Sequence, residues 1–77
     1  MKKFKQYDAV RLARFIAPPL QSHDKFNLRP PMVGDIAYIV EVYSNPIGYE
    51  LECSDSYGIT QWLMAFSPDE IELEFVK

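Results

Sequence analysis

Apolar and polar positions alternate with a two-residue period through most of residues 33–66, and short turn-forming stretches separate the apolar runs. That alternation marks half-buried strands. Asn45-Pro46-Ile47-Gly48 and Asp55-Ser56-Tyr57-Gly58 supply the turns, so the stretch predicts a meander of three antiparallel strands. In the first, Ile36, Tyr38, Val40 and Val42 share one face, and Ala37, Ile39, Glu41 and Tyr43 share the other. Both faces are largely apolar, which predicts a central strand or one shared between two sides of a barrel. In the second, Tyr49, Leu51 and Cys53 point inward, while Glu50 and Glu52 point to solvent. In the third, Thr60, Trp62, Met64 and Phe66 lie opposite Ile59, Gln61, Leu63 and Ala65. Two arrangements stay open there. Either Trp62 is buried and Gln61 exposed, or Tyr43, Tyr57, Trp62 and Phe66 form an outward aromatic patch.

The flanks are less periodic. Residues 1–6 are a lysine-rich start expected to fray. Residues 7–16 fit a helix nearly as well as a strand, and the β-rich surroundings favour the strand. Residues 17–33 form a long loop bounded by Pro18-Pro19 and Pro30-Pro31, with Phe26 and Leu28 expected to pin it to the sheet. Gly34 suits a tight turn before Asp35. Ser67-Pro68-Asp69-Glu70 combines a capping serine, a proline and carboxylates, which predicts one turn of 3₁₀-helix. Ile71, Leu73 and Phe75 then alternate with glutamates in a short last strand. Together these elements predict a single all-β domain over residues 1–77.

Charge divides the chain. Residues 1–29 hold seven cations against two carboxylates, and residues 30–77 hold nine carboxylates against Lys77, for a net charge of −3. The basic first strand and the acidic last strands are expected to neutralise each other; the other arrangement is an acidic face for a basic partner. A chain of 77 residues that is 48% hydrophobic and 14% aromatic must rely on its side chains for a core, because one cysteine cannot form an internal disulfide. The free thiol and the absence of a signal-like or membrane-spanning apolar run favour the cytoplasm.

Five short strands, a long first loop, Gly34-Asp35 opening the second strand and a one-turn helix before the last one resemble an SH3-like barrel. The chain also resembles a family of short bacterial proteins of unknown function. The residues that carry this are Asp8-Ala9-Val10-Arg11-Leu12, the run from Gly34-Asp35-Ile36-Ala37 to Val42-Tyr43, then Tyr49-Glu50-Leu51-Glu52-Cys53, Asp55-Ser56-Tyr57-Gly58 and Ile71-Glu72-Leu73. Ala37 stands where that family prefers glycine, and Cys53 where it prefers an aromatic. Such proteins look like distant relatives of the SH3-like domain of the nitrile hydratase β subunit, a scaffold that does no chemistry. Related barrels occur as immunity proteins beside bacterial toxins. The resemblance therefore implies a binding module and brings no catalytic residues.

The residues themselves offer little chemistry. His23 reads as a solvated loop histidine, and Cys53 as a small core group. Glu50, Glu52, Asp55, Glu70, Glu72 and Glu74 could meet on one sheet face, where a cation site is conceivable and a solvated, edge-protecting acidic face is the expected reading. No enzyme, metal or cofactor is expected. The function expected is a cytoplasmic protein-binding module, of immunity or accessory-inhibitor type. Its candidate partner-binding residues are Tyr43, Tyr57, Trp62, Phe66, Glu70, Glu72 and Glu74, and a homodimer is a possible assembly. The rival expectation is a nucleic-acid-binding barrel that uses the basic first strand and loop, with Phe4, Tyr7, Phe15 and Phe26 as stacking groups.

Overall fold

The computed structural model describes residues 4–18 and 27–76. The described residues form one antiparallel sheet of five strands: β1 Ala9–Phe15, β2 Ile36–Ser44, β3 Ile47–Ser54, β4 Thr60–Phe66 and β5 Ile71–Phe75. Their order is β4-β3-β2-β1-β5, so the two central hairpins are local and β1 brings β5 in beside the start of the chain. The sheet is open: β4 and β5 are its edges and share no ladder. Side-chain packing brings the end of β1 to the end of β4 instead, with the Phe15 and Phe66 ring centroids 6.4 Å apart. The 67–70 segment is a turn closed by one backbone bond, from the Glu70 amide to the Ser67 carbonyl (3.0 Å), and by the Ser67 amide donating to Glu70 Oε1 (2.8 Å). It stops short of the expected 3₁₀-helix because no second i→i+3 bond follows the first: Ile71 already belongs to β5, opposite Phe15.

Burial follows the alternation. Val10, Leu12, Ala37, Ile39, Leu51, Cys53, Trp62, Phe66, Ile71 and Leu73 form the core. Fully burying side chains such as Trp62, Leu12, Ile39 and Leu51 stabilises the sheet by roughly 1.5–3 kcal/mol each for the aliphatic ones. On β2 the choice of face is settled by a bulge. Ile39 pairs with Leu51, but Glu41 pairs with Glu50, so Val40 is extra. Before it, Ala37 and Ile39 point inward; after it, Glu41 and Tyr43 share the outer face with Glu50. Residues 6–8 extend the β1 side of β2 past this point: the Tyr7 amide donates to Ile39 O, the Ile39 amide to Asp8 O (3.0 Å), and Gln6 Nε2 to Val40 O (3.0 Å). Phe4 packs edge-on against Tyr49 and lies 4.6 Å from Phe75. Residues 4–6, expected to fray, are thus tied to β2, β3 and β5.

Charge neutralisation across the sheet is direct. β1 pairs with β5 so that Arg11 faces Glu74 and Arg14 faces Glu72, with ion pairs of 3.1 and 2.8 Å. The long loop is secured by polar groups rather than by Leu28, which is 59% exposed. The Leu28 amide donates to Gln61 O (2.8 Å), and Asn27 Oδ1 accepts the Leu63 amide (3.0 Å). This short bridge covers part of the β4 edge, a place where an unpaired strand would invite aggregation. His23 and Phe26 lie outside the described residues.

Candidate functional site

A clasp locks the first loop onto the sheet. The 32–35 turn needs a left-handed residue, and Gly34 supplies it with φ of +95°. That turn aims Asp35 at Trp62. Asp35 Oδ2 accepts Trp62 Nε1–H (2.9 Å), the Met32 amide (2.9 Å) and Arg29 Nη1–H (2.8 Å), while Oδ1 accepts Arg29 Nη2–H (3.1 Å). Burial by itself would raise the Asp35 carboxyl, but the bonds from Arg29, Met32 and Trp62 outweigh it and hold the group below the usual aspartate range. The Asp35 hydrogen bond in turn raises Arg29. Cys53 lies beside this pair, and burial followed by the Asp35 charge pushes its thiol up, so it stays protonated. No group of three His, Cys, Asp or Glu side chains that could hold a metal occurs among the described residues. The clasp satisfies its own donors and acceptors, and it is structural.

Trp62 is therefore core. It is fully buried, and it meets Phe66 edge to face at 6.2 Å. The outward aromatic patch of Tyr43, Tyr57, Trp62 and Phe66 does not form, because Trp62 and Phe66 are both buried in the core. Tyr57 is 87% exposed but sits in the 55–58 turn, at the opposite end of the β3–β4 hairpin from Tyr43. Glu72 and Glu74 are held by Arg14 and Arg11.

The remaining candidates, Tyr43, Phe66 and Glu70, converge on one open groove of about 340 Å³. Its other walls come from Pro46, Ile47 and Gly48 of the β2–β3 tip. β2 and β3 are joined there by Asn45 and Pro46 alone, which leaves Ile47 60% exposed at the end of the hairpin. Gly48 forms part of the floor. A Cβ at that position would stand 3.2 Å from the Phe66 carbonyl oxygen and 3.8 Å from the Tyr43 ring, so a side chain would fill the groove from below. The tyrosine hydroxyl donates to Glu50 Oε1 (2.8 Å), and that bond, together with the charges of Glu50 and Glu41, raises the Tyr43 pKa. Glu70 Oε1 accepts the Ser67 amide (2.8 Å), which fixes the far wall.

Sequence reasoning missed the contribution of Pro46, Ile47 and Gly48. The signal was an isoleucine inside a turn, where burial has no periodic partner to explain it. Arg29 and Asp35 carried no such signal, since their pairing depends on where the loop returns. No helix among the described residues is long and apolar enough to cross a membrane. Comparison with known proteins leaves this geometry to speak for itself: no family model, no curated protein and no solved structure matches the chain.

Proposed function

We propose that the chain is a cytoplasmic protein-binding module built on an SH3-like barrel, and that it works through the groove at the β2–β3 tip. The strand order, with β1 joining β5 to the β2–β3–β4 meander, and the long first loop laid along β4 support the barrel reading. The observation that carries the function is the groove itself. It gathers exposed apolar surface on Ile47, Tyr43 and Pro46 over the edge of the core at Phe66. Contiguous apolar surface of that kind, rimmed by polar groups, marks interaction sites. Aromatic and aliphatic anchors seated in such pockets dominate binding energies. An accessory or immunity-type inhibitor is the form of module this suits best, since one small surface would mask a partner's site. Nucleic-acid binding is less well supported, because Arg11, Arg14 and Arg29 are each already paired with a carboxylate.

The test is affinity capture from the source cell with immobilised protein in three forms. Wild type and Tyr57→Ala should retain the same partner. Ile47→Asp, which changes a mostly exposed side chain, should lose it while keeping the wild-type circular dichroism spectrum. Equal retention by Ile47→Asp would show that the groove is not the binding surface.

A further inference from the structure

The rim of the groove holds carboxylates that no cation among the described residues pairs with. Glu41 and Glu50 are direct cross-strand partners on the outer face. Like charges in that position destabilise a sheet. The ion pairs of the described residues are Arg11–Glu74, Arg14–Glu72 and Arg29–Asp35, so neither glutamate has a cation there. Tyr43 lies between this pair and the groove, with its hydroxyl on Glu50. On the opposite wall Glu70 is exposed and spends one carboxylate oxygen on the Ser67 amide. An apolar slot is therefore flanked by carboxylates on both sides.

Resting on the reading above, we infer that the groove takes one large apolar side chain of a partner segment that carries lysine or arginine on both sides of it. The apolar side chain would lie over Gly48 and Phe66, between Ile47 and Tyr43. One flanking cation would reach Glu41 and Glu50, and the other Glu70. Two features of the molecule favour this occupant, the first its size and the second its charge. The slot is near the small end of the roughly 300–1,000 Å³ range of ligand pockets, which suits a side chain rather than a whole helix face. The Glu41–Glu50 pairing is eased in the free protein only by the Val42 amide on Glu41 and the Tyr43 hydroxyl on Glu50, and a cation arriving there would offset its like-charge repulsion. Each rim contact is at the surface, so its share is a factor of roughly two to five in affinity.

The experiment is a ¹⁵N-NMR titration with short unstructured peptides that have Leu, Ile, Phe or Trp at the centre and Lys, Gln or Glu on both flanks. At low salt, Lys-flanked peptides should shift the amides of Gly48, Ala65, Ser67 and Glu70. Gln-flanked peptides should bind roughly tenfold more weakly, and Glu-flanked ones not measurably. Raising salt from about 0.01 to about 1 M, which shortens the Debye length from roughly 30 to roughly 3 Å, should erase the difference between Lys and Gln flanks. Glu41→Gln should weaken Lys-flanked peptides and at the same time raise the Tm of the free protein, a combination that a merely structural role would not produce. If Gln-flanked peptides bind as tightly as Lys-flanked ones, the basic flanks are wrong and the groove survives as the site. If no peptide moves those amides, the groove reading itself fails. If the same amides shift on concentrating the protein alone, the occupant is a second copy and the basic segment is overturned.

Discussion

Replacing Asp35 by alanine removes the acceptor for three groups at once. Trp62 is fully buried, so its indole N–H loses its partner with no water to replace it. An unsatisfied buried donor of this kind destabilises by about 1–3 kcal/mol. The Arg29 guanidinium loses a two-pronged, charge-assisted contact, but its side chain is 34% exposed. Solvent therefore takes over much of that interaction, and its loss is discounted to about 1 kcal/mol. The Met32 amide is at the surface and adds little. The expected loss is about 3 kcal/mol, against roughly 4–11 kcal/mol for a domain of this length. Urea unfolding followed by the fluorescence of the single tryptophan reads this directly, because Trp62 is itself part of the clasp. With a slope near 1 kcal/mol/M the midpoint should fall by about 3 M. In a double-mutant cycle, Arg29→Ala and Asp35→Ala should be non-additive by about 1 kcal/mol, since each removes the other's partner. A loss below about 0.5 kcal/mol for Asp35→Ala, or a strictly additive cycle, would refute the clasp as a source of stability.

The same carboxylate sets an acid limb. Its pKa is lower folded than unfolded, so its contribution is complete above the unfolded value near pH 4 and is lost as pH falls through the folded one; the gap in urea midpoint between wild type and Asp35→Asn should close over that acid window. Gly48→Val places a branched side chain where a Cβ is already 3.2 Å from the Phe66 oxygen, and thermal melts should show a loss of about 1–3 kcal/mol together with loss of groove binding. Arg14→Ala, by contrast, breaks an ion pair whose side chains are 65% and 54% exposed, and its chemical-denaturation midpoint should stay within about 0.5 kcal/mol of wild type.

The sequence by itself determined the class of the fold, because the information for it is local. A period of two over 36–66, glycines at turns that need a left-handed residue, and glutamates alternating with Leu51 and Cys53 all act within a few residues of the chain. The strand over 9–15 needed its surroundings, since its own periodicity also fits a helix. Tertiary structure decided what depends on distant partners. Which face of β2 turns inward follows from one extra residue at Val40, and no alternation pattern reveals a bulge before β3 is in place. Trp62 points inward because Asp35, on the far side of two turns, meets its N–H. Arg11 and Arg14 are neutralised because β5 returns beside β1, which removes Glu72 and Glu74 from the candidate surface. The groove exists because the 45–48 tip and the 67–70 turn come together in space while lying some twenty residues apart in the chain. Periodicity predicts which side chains share a face, but a site made where two turns meet depends on the pairing register and on burial, and those are properties of the folded sheet.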